Sequence, residues 1–279
     1  MTSFSRRTFL ASGVGASLIG MDARAIPQAP AHAYKALGVG MYTVRAAVAS
    51  DTVATFKKIK ALGYDQVEPF TFAGHTPKAY RALAQDAGLD LPSCLLQDDD
   101  WYTDVHQTLD NIASVGATYA VLPWLNQVRR ADAKREPRRL ADTLNAWGAL
   151  AKARGLVMTY HNHAFEFEKT GNVEALFYQL VKHTDPSLVV FELDTYWAKR
   201  GGQDALTLLK NYGSRIRLLH LKDMDQQGKM APAGKGVFDF RAILQEAHSA
   251  GVTHIFAEDD NPSDPFESLA QSARYLRGG

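Results

Sequence analysis

The sequence predicts a single α/β domain built as a closed (β/α)8 barrel, the TIM barrel architecture, and three features carry that prediction. The chain has 279 residues of ordinary globular composition, 46% hydrophobic and 22% charged. That excludes a disordered chain, a collagen and a coiled coil, and it suits one barrel of roughly 250 residues. From residue 36 onward, short β-rich apolar runs alternate with amphipathic segments, with no linker, low-complexity stretch or charge block to divide them. Several of those segments stop at a glycine followed at once by an apolar run, the pattern of a helix that ends in the left-handed conformation before a strand.

The elements follow in order. Strand 1 is expected over residues 37–44. Gly63 closes an amphipathic segment before strand 2 at 64–70, Gly88 precedes strand 3 at 89–96, Gly116 precedes strand 4 at 117–124, and Gly155 precedes strand 5 at 156–161. Strands 6 and 7 fit 188–194 and 216–222, and Gly251 introduces strand 8 at 252–258. Between them, Leu140, Leu144, Trp147 and Ala151 recur at helical spacing, as do Phe240, Ile243, Leu244 and Ala247. Both stripes read as helix faces packed on the core. No glycine-rich phosphate loop follows strand 1, which weakens an open nucleotide-binding sheet.

Residues 1–25 read as a processing signal. Ser5-Arg6-Arg7-Thr8-Phe9-Leu10 precedes a mildly apolar run of small residues, and Ala23-Arg24-Ala25 supplies small residues for cleavage, with Ala31-His32-Ala33 as a second site. This resembles a bacterial twin-arginine (Tat) signal. The barrel is therefore expected over 36–278 of a periplasmic or secreted protein with no membrane span. Lys plus Arg number 31 against 30 Asp plus Glu, so no strong field favours nucleic acid or an anionic membrane. The single cysteine, Cys94, excludes an intrachain disulfide and a cysteine-based zinc site. Any metal must be held by His, Asp and Glu.

A barrel carries its chemistry at the C-terminal ends of its strands, and there this chain is rich in metal-ligand residue types. Strand 2 ends at Glu68, strand 5 at His161-Asn162-His163, strand 6 at Glu192-Leu193-Asp194, strand 7 at His220-Leu221-Lys222-Asp223, and strand 8 at Glu258-Asp259-Asp260. One such residue alone reads equally well as a satisfied loop side chain. Five strand ends together would crowd like charges onto one rim, which is costly unless a cation compensates them. His32, His75, His106, His183, His248 and His254 lack such positions and read as structural or solvated.

These blocks, in this order, resemble the xylose isomerase-like barrel superfamily, the group often called sugar phosphate isomerases/epimerases. The resemblance covers essentially all of residues 36–278. It is carried by Leu37-Gly38-Val39-Gly40-Met41-Tyr42-Thr43-Val44-Arg45, by Tyr160-His161-Asn162-His163 followed by Glu166-Phe167, by Asp194-Thr195-Tyr196-Trp197, by His220-Leu221-Lys222-Asp223, by Gly234-Lys235-Gly236 before Asp239-Phe240, and by Glu258 with Asp260. It implies one divalent metal ion at the barrel mouth (Mn, Zn, Fe, Co or Mg), with Asp194, His220 and Glu258 matching three of the four usual ligand positions. His161 stands at the fourth, where epimerases of the superfamily carry glutamate, and Glu166 is the alternative fourth ligand. Two imidazoles with two carboxylates suit Mn, Fe or Zn better than Mg.

The implied activity is that of a metal-dependent sugar isomerase or epimerase, which abstracts a proton next to a metal-bound carbonyl. Glu258 is the expected base, Glu68 or Glu166 a second one, and His163 or Lys222 the group that protonates a leaving oxygen. Two-base epimerisation needs a carboxylate on each face of the carbon, and an imidazole at 161 removes one. A lyase, dehydratase or hydratase acting on a 3-keto glycoside or inosose is therefore the alternative. Trp124 and Trp197 are candidates for stacking on sugar faces, and Arg45, Glu166 and Asp260 for binding the substrate's polar groups. The expected partner is a small carbohydrate, with no nucleic acid and no membrane, and an oligomer is compatible with the sequence. Two other classes fit less well: a non-catalytic sugar-binding barrel does not need the metal ligands, and an abasic-site endonuclease needs a basic groove.

Overall fold

Gly38–Gly40 (β1), Gln66–Glu68 (β2), Ser93–Cys94 (β3), Tyr119–Leu122 (β4), Val157–His161 (β5), Val189–Asp194 (β6), Ile216–Leu221 (β7) and His254–Ala257 (β8) form one parallel sheet. Neighbours follow chain order, and β8 pairs back onto β1. Between β2 and β3 the contact is a single bridge, Gln66 to Asp90, supported by the Leu95 N–H donating to the Pro69 carbonyl at 2.9 Å. The sheet is thereby a nearly closed (β/α)8 barrel. This computed structural model describes residues 34–169 and 174–278, together with Met1.

Each strand is followed by helix, as the alternation of the sequence predicts. Gly63, Gly88, Gly116, Gly155 and Gly251 all turn the chain at φ between 72° and 94°, a region closed to most side chains but open to glycine. At the opposite ends, Asp51, Thr76, Asp104, Asn126, Asp204, Asp239 and Asp264 cap helices by accepting backbone N–H bonds. The helix Pro137–Lys152 buries Leu140, Leu144, Trp147 and Ala151, and the helix Phe240–Ala250 buries Phe240, Ile243, Leu244 and Ala247.

All eight strands are shorter than expected, β1 and β3 by the most. β1 stops at Gly40, and Met41–Val44 coils into a 3-10 turn that runs into the helix Arg45–Ser50. Thr43 there accepts a hydrogen bond from the Asp259 N–H at 2.9 Å, tying the turn to the end of β8. In β3 only Ser93–Cys94 pair as strand. Pro92 sits within the expected run and has no N–H to give a ladder.

Inside the barrel, Leu95, Tyr119, Val121, Val190, Leu218 and Phe256 pack as a cluster of their own. A much larger cluster fills the space between strands and helices. The inner cluster forms an apolar plug beneath the barrel mouth. The expected export signal and its second cleavage site lie outside the described residues, Met1 apart. Among the described residues, no helix is long and apolar enough to cross a membrane.

Candidate active site

Residues two apart on a strand share a face. On β6 that face carries Val190, Glu192 and Asp194, on β7 Leu218 and His220, and on β8 Phe256 followed by Glu258. Apolar side chains thus lie deepest, and ionisable ones stand above them, buried at the mouth. Gly40 supplies the space at the end of β1, because a Cβ there would run into the Glu258 carboxyl.

His220 is the hub. Its Nε2 lies 2.6 Å from Glu68 Oε2 and 3.4 Å from Glu192 Oε1, and its Nδ1 lies 2.9 Å from Glu258 Oε2. His161 places Nδ1 2.9 Å from Glu192 Oε2 and Nε2 3.8 Å from Asp194 Oδ2. The Lys222 ammonium sits 2.9 Å from Asp194 Oδ2, 2.7 Å from Glu258 Oε2 and 2.8 Å from Asp260 Oδ1. Asn162 holds the β6 end by accepting the Asp194 N–H at 3.1 Å, and Asp194 Oδ1 accepts from the Trp197 N–H at 2.8 Å.

Burial and charge set the protonation states against each other. Burial opposes the charge on His220, but Glu192, Glu258 and Glu68 outweigh it and hold the ring well above the ordinary imidazole range. Burial likewise opposes the Lys222 charge, and Asp194, Asp260 and Glu258 outweigh it. Burial pushes Glu258 up, yet Lys222 and His220 hold it well below the usual carboxylate range. His161 and His163 are pushed well below the ordinary imidazole range by burial and by neighbouring cations. Burial raises Asp194 to about 6 against the pull of Lys222.

The donor set fits a divalent cation. His161, Asp194 and His220 offer ligand atoms within 4.8 Å of one another, and Glu68, Glu192 and His220 form a second such group. Three buried carboxylate oxygens, Glu68 Oε1, Glu192 Oε1 and Asp194 Oδ2, accept no hydrogen bond from the described residues. For Asp194 Oδ2 this holds despite the nearby Lys222, whose ammonium pairs with it by distance without hydrogen-bond alignment. Such oxygens are costly in a protein interior unless a cation or a donor meets them. Of the four ligands expected, three come together. Glu258 lies outside both groups and connects to them through His220.

Above this layer opens a cavity of about 350 Å³, lined by Tyr42, Phe70, Trp124, His161, His163, Trp197, Lys222, Glu258, Asp260 and Asn261 among others. That volume lies within the range of small-molecule sites. Trp124 is partly exposed, meets the His163 ring edge-on at 4.7 Å and carries the Arg130 guanidinium 3.2 Å from its ring centroid. Trp197 lies 5.2 Å from the His163 ring and donates its Nε1–H to Asp260 Oδ2 at 3.1 Å. His163 Nδ1 has no hydrogen-bond partner among the described residues.

Three expected site residues sit elsewhere. Glu166 is buried behind the end of β5, because the 3-10 turn Phe165–Phe167 folds it back: Oε1 accepts from the Tyr160 hydroxyl at 3.0 Å and Oε2 from the His163 N–H at 2.8 Å. Both oxygens are used, and Glu166 belongs neither to the cavity lining nor to the two groups of clustered ligand atoms among the described residues. Arg45 does not line the cavity, since it donates to the carbonyls of Tyr42 and Asp260 at 2.9 Å each and braces the rim. Glu68 does not line the cavity, because its carboxyl turns against His220.

Sequence reasoning gave no role to Glu192, Asn162, Asp223 or Arg130. Glu192 was legible as the residue two before Asp194 on the same strand face. Asp223 accepts four backbone N–H bonds, from Met224, Gly234, Gly236 and Phe238, and so holds the loop beyond β7.

A family model described as the xylose isomerase-like TIM barrel matches residues 56–278. An inosose dehydratase of Clostridium beijerinckii is 29% identical over 161 residues, covering 50% of this chain and 53% of that protein. The chain thus spans about half the length of the curated relatives it matches. A crystal structure of a sugar phosphate isomerase/epimerase from Parabacteroides distasonis superposes with a TM-score of 0.72 at 25% identity, covering 87% of this chain and 93% of that one. The IOLI protein, whose crystal structure holds a zinc atom, has a TM-score of 0.64 at 17% identity over 86% of this chain and 96% of its own, a likeness of fold.

Proposed function

The chain belongs to the xylose isomerase-like TIM barrel family, and on that premise we propose a metal-dependent enzyme that removes the proton next to the carbonyl of a keto-sugar or inosose and expels the substituent on the β-carbon. One observation carries the choice of reaction. The cavity's carboxylates, Glu258 and Asp260, stand on the β8 side, whereas the β5 side presents two neutral imidazoles, His161 and His163. A site whose lining carboxylates stand on one wall and whose other wall presents imidazoles suits elimination more than a two-base proton exchange.

His161, Asp194 and His220 would hold the metal, with Glu68 and Glu192 beside them. Bound there, a divalent ion supplies Lewis-acid polarisation of a carbonyl oxygen. Glu258 is ionised and lines the cavity, its Oε2 is held by His220 and Lys222, and its Oε1, beside Gly40, accepts no hydrogen bond among the described residues. That oxygen takes the proton from the carbon next to the carbonyl. The electron pair left behind forms the new carbon–carbon double bond as the bond to the β-oxygen breaks, and the Lys222 ammonium protonates that oxygen as it leaves, with an N–H of His163 available to donate a hydrogen bond to it. Trp124 and Trp197 cover the apolar faces of the ring, and Asp260, fixed by Lys222 and Trp197, is placed to receive a hydroxyl.

Similarity to inosose dehydratases supports this reading. Epimerisation is the second reading, favoured by the likeness to the Parabacteroides distasonis sugar phosphate isomerase/epimerase. It needs a second base on the β5 side. Proton NMR of an inosose in D2O tests the proposed base: the metal-loaded protein should produce the unsaturated ketone, and Glu258→Gln should lose that product at least 100-fold. Undiminished product with Glu258→Gln would move the base elsewhere.

A further inference from the structure

Two buried carboxylates lie under the two imidazoles of the ligand group, and neither lines the cavity. Glu192 Oε2 is 2.9 Å from His161 Nδ1, the one hydrogen-bond partner of that nitrogen among the described residues. On the far side of the ring, His161 Nε2 faces Asp194 Oδ2. Glu192 is completely buried, and it sits on β6 opposite His161 of β5 in the strand register. Its side chain therefore cannot swing to solvent without breaking the barrel wall.

A neutral imidazole has one N–H and one lone pair, and it can ligate only through the lone pair. A cation on Nε2 requires the ring proton on Nδ1, where an acceptor must meet it. From this we infer that Glu192 is a positioning residue: it receives the Nδ1 proton of His161, turns the Nε2 lone pair toward Asp194, and returns to the ligand group a negative charge that the imidazole itself does not carry. This rests on the metal-centre reading given above. A carboxylate behind a ligating histidine both orients the ring and raises its basicity. The other oxygen of Glu192 lies 3.4 Å from His220 Nε2 and accepts no hydrogen bond among the described residues, which leaves it free to face a cation.

The test uses the full chain, stripped of metal, titrated with zinc alone and followed by calorimetry, for wild type, Glu192→Gln and Glu192→Leu. The amide of Glu192→Gln still accepts a hydrogen bond but lacks the charge, so zinc should bind about 10-fold more weakly, and about 100-fold more weakly in Glu192→Leu. A long-range proton–nitrogen NMR spectrum of the zinc-loaded wild type should show the His161 proton on Nδ1 at low field, as a proton shared with a carboxylate, and in Glu192→Gln that signal should move upfield. A merely structural role for Glu192 would not produce that shift. If Glu192→Leu fails to fold, the Glu192→Gln affinity and spectrum decide alone. Wild-type zinc binding with unchanged affinity in the folded variants, or a His161 proton on Nε2 in the loaded wild type, overturns the inference while leaving the metal centre intact. A wild type that takes up no zinc overturns both.

Discussion

Gly40 and Glu258 share one space at the barrel mouth: the hydrogen that serves as the Gly40 side chain leaves the volume that the Glu258 carboxyl occupies. Gly40→Ala should therefore push the carboxyl off its position against His220 and Lys222 while leaving the fold in place. Since a displacement of about 1 Å at a reacting group costs on the order of 100-fold in rate, turnover should drop by that factor with a circular dichroism spectrum like that of the wild type. Wild-type turnover in Gly40→Ala would mean that the exact seat of Glu258 is not needed.

The same glycine shows what a sequence discloses and what it does not. Gly40 lay inside an expected strand, and nothing in the one-dimensional pattern said that its missing Cβ accommodates a residue more than two hundred positions away. The eight strands and the ionisable residues at their ends were legible, because glycine stops and strand alternation are local properties. The early stop of β1 and the brevity of β3 were missed, although Pro92 signalled the latter. Glu166 and Arg45 carried the right chemistry for a site but are consumed by backbone and hydroxyl partners. Which oxygen is free depends on how the loop folds, and residue type does not encode it. Glu68 stands at a strand end as expected, yet its carboxyl meets His220 and does not line the cavity.

His220→Ala should abolish stoichiometric metal binding. The imidazole is shared by both groups of candidate ligands, and its removal also leaves the Glu68 and Glu258 carboxyls facing each other without the ring between them. Stripping one partner from a buried ionic pair costs about 3–5 kcal/mol, so the variant should unfold at markedly lower denaturant as well. Metal analysis of the purified protein checks the first effect and chemical denaturation the second. Full metal content in His220→Ala would remove it from the ligand set.

Glu166 makes stability fall toward alkaline pH. Burial raises its carboxyl to about 8, from an ordinary value of 4.5. A carboxyl whose folded value is raised holds its proton more tightly in the folded chain, so its contribution is complete below about pH 4.5 and is lost as pH rises through 8. At 1.36 kcal/mol per pKa unit the loss across that window is at most about 5 kcal/mol. Glu166→Gln, which cannot ionise, should flatten this part of the profile, as measured by urea unfolding at pH 5 and pH 8. An identical decline in the variant would assign the pH dependence to other groups.

Elimination at a site with carboxylates on one side and imidazoles on the other is tested most directly by a ratio of two rates on one preparation of metal-loaded protein. A 3-keto glycoside or inosose and a free ketose are incubated separately in D2O and followed by proton NMR. The prediction is that the keto-glycoside or inosose loses its β-substituent to give an unsaturated ketone faster than the ketose is epimerised. Clean epimerisation of the ketose, with no unsaturated or deglycosylated product from the keto-glycoside or inosose, would contradict it.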